Sequence, residues 1–476
     1  MMKRFTCITA ALLLLAGCSS KDRVIEIQSE EDLSGLTIAF ASGSYYHDMY
    51  GSRKDIGIFA VNSEADCVQA LQQGKADVFV TDEIALPKPE LERLHLKRAF
   101  QGKENFKVAF ALRKGMDELR AQLDSFIVSA PLEQIIAHWT EGTPLPEEPH
   151  YEITPGAAPL KCISCSNIAP ISFVADGGAW IGMDPDILRW FAHSIGRPFE
   201  MNFIDMGAAM IALQKGQADI VSGCIFITDE RTKSVDFSLP YYQCHPGYFV
   251  RDHGNKHRIT LGERFKMNLV TENRWKLIAD GLLETLKITL MAILLGTLLG
   301  FVVCQGRRSR HGWARYLAGL YGDFINGIPT LVLLLIMFYV VFAKSGLGAS
   351  MIAVVTFSLC FASSAGSIFD TAISSVPPGQ TEAGLSLGFT PFRTFTDIVF
   401  PQAVSKGLPL YIGECISLLK STSIVGYIAI QDITRASDII RSRTFDALIP
   451  LLVVTVLYFV VAWLIQVLLN LLLKKH

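Results

Sequence analysis

The stretch "ALQQGKADVF" (residues 70–79) has a near copy in the same chain, "ALQKGQADIV" (residues 212–221). Each reads as helix, stop, strand. In "EADCVQALQQGKADVFV" (64–80), Ala65, Val68 and Leu71 fall at helical spacing. Gly74 stands where a left-handed helix C-cap is wanted, and "ADVFV" is a short apolar strand. "AAMIALQKGQADIVSG" (208–223) repeats the plan, with Gly216 as the stop. Strand–helix–strand units with brief turns argue for parallel α/β sheets. Two copies 142 residues apart argue for two α/β lobes. Taken alone, the decapeptides leave open a coincidence between two unrelated turns.

The 476 residues are too many for one ordinary domain, so two or three are expected. Half of them are hydrophobic, and charged residues are frequent before about residue 280 and sparse after it. A soluble part joined to a membrane part explains this split better than one large core. The net charge of −2, with no basic stripe, excludes nucleic acid as an expected partner. Among ten cysteines the close pair is Cys162 and Cys165, in "KCISC". Alternation there suggests a strand, on which these two side chains point to opposite faces. With no second pair at zinc spacing, they read as packing thiols, and no metal or cofactor is expected. A disulfide such as Cys224 with Cys244 stays open.

Lys3 and Arg4 precede the apolar run "ITAALLLLAGCSS", the pattern of a secretory signal over residues 1–20. The run is too short to span a bilayer comfortably. From residue 282 onward, longer runs recur: "ITLMAILLGTLLGFVVC" (288–304), "IPTLVLLLIMFYVVFA" (328–343), "LGASMIAVVTFSLCFASSAG" (347–366) and "LIPLLVVTVLYFVVAWLIQVLLNLLL" (448–473). A weaker fifth lies near 405–430, interrupted by Glu414 and Lys420. In lipid such runs must be helices, and Gly296 with Gly300 suits close helix packing. "RRSR" after the first run and "KKH" after the last read as cytoplasmic, which puts residue 280 outside the cell membrane.

Several motifs carry family resemblances. "LAGC" followed by "SS" resembles a bacterial lipoprotein signal, which implies lipidation of Cys18. "APISFVADGGAWIGMDPDILRWFAHSIG" and then "ALQKGQADIVSGCIFITDERTKSVDFSLPYY" resemble the first lobe of the periplasmic amino-acid-binding proteins of ABC importers. "DLSGLTIAFASGS", "ALQQGKADVFVTDEIAL" and "KVAFALRKGMDELRAQLDSFI" resemble their second lobe, and "IIAHW" their closing helix. The order is rotated relative to that family. It implies either a circular permutation or two truncated modules. The parts would be a second-lobe-like 21–142, a linker 143–160 and a first-lobe-like 161–255. The linker "TEGTPLPEEPHYEITPGAAP" could reach about 65 Å, enough to join the old ends.

By this resemblance, Arg231 in "TDERTKSVDFS" pairs with an amino-acid carboxylate and Asp82 in "VTDEIA" holds the α-amino group. Ser44 and Thr228 join them as ligand-facing hydroxyls. Read without it, Arg231 is a surface arginine after a turn, Asp82 a helix N-cap and Ser44 a turn residue. Ile171 replaces the family's usual aromatic after proline. Phe226 stands near a usual threonine, with one extra residue between Gly223 and Arg231.

"SSVPPGQTEAGLSLGFTPFRTFTDIVFPQA" resembles the coupling loop of ABC-importer permeases. Glu382, Ala383, Gly384 and Gly388 match its pattern at the right spacing, with Gly384 in place of an alanine. "INGIPTLV" and "LLKSTSIVGYIAI" resemble the polar-amino-acid subgroup, over 275–476. No GxxxxGK[ST] loop is present, so an ATPase must come from another chain. The implied architecture is multi-domain, a two-lobed α/β periplasmic-binding-protein fold followed by an all-α bundle of about five membrane helices. The implied function is the binding and permease parts of an importer of a polar amino acid such as glutamine, and not an enzyme. The implied partners are an ABC ATP-binding subunit dimer, a second permease in a homodimer or heterodimer, an amino-acid ligand and the lipid bilayer. The expected location is the bacterial inner membrane, with residues 21 to about 275 exported and a cytoplasmic C-terminus. A membrane-tethered amino-acid sensor, or a permease with a vestigial binding module, is the alternative. A ligand-gated channel would instead need a filter-like re-entrant loop and no coupling loop.

Overall fold

The computed structural model describes residues 24–473 except 43, 62, 167–168, 176–178, 205, 253–259, 344 and 429. The signal and Cys18 lie outside the described residues.

The two decapeptides build matching halves. In the first sheet, β1 (Thr37–Ala41), β2 (Gly57–Val61), β3 (Val78–Asp82), β4 (Leu96–Gln101) and β14 (Pro246–Arg251) run in the order β2-β1-β3-β14-β4. In the second, β6 (Ala111–Leu112), β7 (Leu160–Ser164), β10 (Phe199–Phe203), β11 (Ile220–Ser222) and β12 (Asp236–Phe237) run β10-β7-β11-β6-β12. The first three strands of each order are parallel, and the fourth is antiparallel to the third.

Each half uses its decapeptide in the same way. Ala65, Val68 and Leu71 are buried on the helix Glu64–Gln72, and Ala209, Ala212 and Leu213 on the helix Met206–Gln214. Gly74 and Gly216 adopt φ of +69° and +72°, the left-handed stop that glycine takes without a Cβ penalty. Asp77 Oδ2 accepts the Thr37 N–H at 2.9 Å, and Asp219 Oδ2 accepts the Lys161 N–H at 3.1 Å. Each aspartate thereby satisfies a donor at the start of the neighbouring strand, which would otherwise go unpaired.

The lobes are not the contiguous stretches that the sequence implied. Strand β6, from the "KVAFALRKG" segment, joins the sheet built around β7, and β14 joins the sheet built around β3. Two crossovers, β5 (Phe106–Val108) and β13 (Tyr242–Cys244), pair antiparallel and carry the chain between the sheets. The 143–160 segment is tied down as well. Thr154 N–H bonds Gly196 O at 2.9 Å, and Glu148 meets His193 at 2.7 Å. The remaining two strands, β8 (Phe173–Val174) and β9 (Trp180–Ile181), form a separate hairpin.

After residue 275 the chain is helical. Among the described residues, four helices are long and apolar enough to cross a membrane: Trp275–Arg307, Ala349–Ser374, Pro391–Ile428 and Leu448–Leu468. The expected helix over 328–343 is instead the second arm of a bent pair, Gly312–Gly327 with Thr330–Val341, at 102°. Pro329 caps that second arm, since it cannot continue the first. This pair crosses the bundle rather than turning back. Arg308, at the end of the first span, bonds Asp370 and Ser374 at the end of the third. Ser350, at the start of the third, bonds Glu284 near the start of the first. The bent pair therefore joins opposite ends.

The first and third spans touch closely because their contact is nearly bare backbone. A Cβ at Gly296 would stand 2.9 Å from Phe361, and one at Gly300 2.8 Å from Ala365. This is the close approach that the paired glycines suggested.

Candidate functional site: a cleft roofed by the membrane half

A cavity of about 440 Å³ lies at the carboxyl ends of β3 and β11, where open α/β sheets present their loops to ligands. Asp82, the last residue of β3, lines it from one lobe, and Arg231, on the short helix Asp229–Thr232, lines it from the other. Ser44 also lines it, as the N-cap residue of helix Tyr45–Tyr50, with its hydroxyl donating to Ala41 O at 2.6 Å. Thr228 does not. Its hydroxyl caps the arginine's own helix by accepting Arg231 N–H at 3.3 Å, so it positions Arg231 rather than facing the cleft.

The electrostatics follow from burial. Asp82 accepts a hydrogen bond from the Tyr46 hydroxyl at 2.8 Å, yet its carboxyl is pushed up to about 6, chiefly because burial disfavours the charge. Asp184 is likewise raised to about 6 by burial. Its oxygens accept the Gly223 N–H at 2.8 Å and the Tyr241 hydroxyl at 2.5 Å, so it holds the turn after β11 in place. Gly223 is indispensable there. Its φ is +115°, and a Cβ would come within 2.6 Å of Ser166 N.

The aromatic wall that Ile171 fails to supply comes from elsewhere. Phe226 stacks on Phe106 with centroids 4.6 Å apart, and Tyr45 meets both rings edge-on at 4.7 and 5.9 Å. Sequence reasoning registered Phe226 as a missing threonine. Its partners lie 120 residues or more up the chain, so no local pattern showed the stack.

The profile of the bacterial extracellular solute-binding proteins, family 3, matches residues 160–409. The chain belongs to that family. The relatives of its other half are permeases. The L-cystine transport system permease protein TcyB of Bacillus subtilis is 30% identical over 210 residues, which are 44% of this chain and 90% of that one. The putative glutamine transport system permease protein GlnP of Rickettsia typhi is 27% identical over 202 residues, 42% of this chain and 92% of that one. The glutamate/aspartate import permease protein GltK of Escherichia coli O6:H1 is 31% identical over 195 residues, 39% of this chain and 87% of that one. The protein thus joins the binding and permease components of an amino-acid ABC importer, with a multi-pass permease of the inner membrane, in one chain.

In this family 3 protein the permease half completes the binding cleft. The helix Ile433–Thr444, between the last two spans, supplies Thr434, Arg435, Asp438 and Arg441 to the cavity lining. It grips both lobes. On the β3 side, Arg441 pairs with Asp66 at 3.0 Å, and Thr444 O accepts from Arg93 at 2.9 Å. On the β11 side, Arg435 donates to Phe203 O at 3.1 Å with its guanidinium 4.1 Å above the Phe203 ring, and Arg443 lies 4.9 Å over Phe173.

The coupling-loop motif lies at the other end of the bundle, beyond the Arg308–Asp370 contact. Glu382 and Ala383 are exposed on helix Pro378–Ser386. Gly384 is the buried contact residue. A Cβ there would stand 2.7 Å from Thr394 and 2.9 Å from Ile398. Ala383, one residue earlier, lies on the exposed side of the same helix. Gly388 ends the turn at φ +84°. Leu387 and Phe392 are each 75% exposed beside it.

Proposed function

We propose that the chain is a self-tethered importer of a polar amino acid. Arg231 takes the ligand's carboxylate, Asp82 its ammonium and Ser44 a polar contact between them. The observation that carries this reading is that Arg231 and Asp82 line a single cleft from opposite lobes. A zwitterion bridging the two draws the lobes together, and closure desolvates both pairs. The raised carboxyl of Asp82 fits an acid waiting for a cation. Relatives named for cystine, glutamine and glutamate/aspartate leave the side chain carried here to experiment.

The binding module and the helix Ile433–Thr444 occupy the outer face, and the Glu382 turn the cytoplasmic face. A separate ATP-binding subunit dimer receives that turn, with exposed Leu387 and Phe392 filling its groove. A second permease copy or paralogue completes the pathway. The rotated order of the lobes is a circular permutation, supported by the exchange of β6 and β14 between the sheets. Because the module is covalently held over its permease, docking proceeds at an effective concentration of the order of millimolar. The test is a thermal-shift panel of the full chain in detergent against the twenty amino acids. A stabilising shift by one or a few polar amino acids, lost in Asp82→Asn and Arg231→Gln, is expected. If none produced a shift in the wild type, the import reading of the cleft would fall to that of a vestigial module.

A further inference from the structure

The cleft holds a second kind of chemistry. Among the described residues, the sequence pair Cys162 and Cys165 forms no cluster with other metal-binding side chains, but the fold gathers a different set. The Asp82 carboxylate and the Cys224 and Cys244 thiols lie within 4.8 Å of one another. They come from three separate segments. Asp82 ends β3, Cys224 follows the Gly223 turn and Cys244 ends β13. Asp82 and Cys224 stand at the same step of the repeat, three residues beyond each decapeptide, so the matching lobes bring equivalent positions face to face. Asp82 and Cys224 line the cavity, while Cys244 is fully buried behind them. Among the described residues Asp82 makes no ion pair. Its polar neighbours are the Tyr46 hydroxyl and the Cys224 thiol. Both thiols are free rather than joined in a disulfide.

We propose that Asp82, Cys224 and Cys244 form a three-ligand site for a borderline-soft divalent cation of the Zn²⁺ class, with its fourth position open to the cleft. Ligand atoms around tetrahedral zinc are roughly 3.5–3.8 Å apart, which follows from Zn–S of about 2.3 Å and Zn–O of about 2.0 Å. The three atoms, all within 4.8 Å of one another, need only draw in modestly to reach that spacing. Two sulfurs and one carboxylate oxygen suit zinc and reject magnesium or calcium, which want all-oxygen shells. The hydrogen bond with Cys244 and then burial oppose ionisation of Cys224, burial outweighs the bond to Cys224 to oppose ionisation of Cys244, and a bound dication reverses that balance. Each thiol that ligates passes its proton to the solvent, about two protons per ion. Given the assignment of Asp82 to the ligand's ammonium, the ion and the amino acid exclude one another.

The test is calorimetric titration of the full chain, reduced and in detergent, with Zn²⁺ alone. Two buffers of different ionisation heat count the protons released. Saturable binding of one ion per chain with release of about two protons is expected. It should weaken at least tenfold in Cys224→Ser, in Cys244→Ser and in Asp82→Asn, and be unchanged in Cys360→Ser, whose thiol lies in the third span. Co²⁺ should show a thiolate charge-transfer band that both cysteine variants lose, a readout that distinguishes ligation from a folding defect. Equal binding in wild type and the three variants would overturn the site. So would a Cys224–Cys244 disulfide after purification without reductant, coupled with no zinc binding once it is reduced. Displacement of bound amino acid by Zn²⁺ supports the shared use of Asp82. Zinc binding without displacement keeps the metal site and removes Asp82 from the ammonium role.

Discussion

The two copies of the decapeptide are alike in the helix stop and strand cap that frame each lobe and unlike in the residues that follow them into the cleft. Gly74 and Gly216 stop equivalent helices, and Asp77 and Asp219 cap equivalent neighbouring strands. Three residues later one copy presents a carboxylate, Asp82, and the other a thiol, Cys224, behind a glycine turn. The lesson is that the repeat is a frame. Chemistry is written in the residues just past the strands' carboxyl ends, where the frame no longer dictates side-chain type. The largest test of that separation is to remove the chemistry and leave the frame. Asp82→Asn should lower amino-acid affinity roughly 100-fold, the scale expected when one partner of a desolvated charge pair is lost. The same variant should hold or raise the melting temperature of the unliganded protein, because a costly buried charge has gone. A variant that lost binding and stability together would show that Asp82 belongs to the frame.

A pH series sharpens the same point without mutation. Asp82 binds an ammonium only when ionised, and burial places its carboxyl at about 6. Affinity should therefore hold from about pH 7 upward and weaken as pH falls through 6, approaching tenfold per pH unit below it. For stability the sign is opposite. The folded state holds protons at Asp82 and Asp184 that an unfolded chain releases above about pH 4, so these two groups favour folding more at pH 5 than at pH 7. Calorimetry of binding and unfolding over pH 5–8 would check both. A flat affinity profile would remove Asp82 from the ligand.

The roof differs between the lobes as well. The β3 lobe is held by the Arg441–Asp66 ion pair and the Arg93 bond to Thr444 O, and the β11 lobe by guanidiniums over Phe203 and Phe173. Arg441→Glu should break the Asp66 pair and lower transport by several-fold to about tenfold. Asp66→Arg in the same chain should restore part of the loss. Failure of that rescue would mean that the pair does not hold the lobe.

The smallest expected effect compares the two caps. Asp219 accepts from Lys161 N–H and also pairs with Arg197 at 2.9 Å, whereas Asp77 has its strand cap alone among the side-chain bonds described. Replacement by alanine should cost about 1 kcal/mol at Asp77 and about 1–2 kcal/mol at Asp219. Thermal unfolding of the two variants, side by side, measures the difference.

The lobes' local pieces were legible because helix period, glycine stops and short apolar strands are written within fifteen residues. The spans were legible because lipid admits little but long apolar helices. The bent second span was not, because its first arm, Gly312–Gly327, carries Arg315 and Asp323 and breaks the apolar run. Arg231, Asp82 and Ser44 were found through a family resemblance, and the cavity contains all three. Thr228, read as a ligand-facing hydroxyl, is instead a helix cap, since capping depends on one or two residues of register. Phe226, Tyr46, Asp184 and Arg435 went unassigned in the sequence because each acts through partners far along the chain.

By itself, then, the sequence determined the two repeated lobes, the membrane helices and the close glycine contact between the first and third of them, because each depends on neighbours a few residues apart or on the solvent. Only the tertiary structure decided that β6 and β14 exchange sheets, that a permease helix closes the cleft, and that Asp82 meets Cys224 and Cys244. Those outcomes depend on where distant segments come to rest when two lobes and a bundle bury their faces against one another, and no local pattern encodes that.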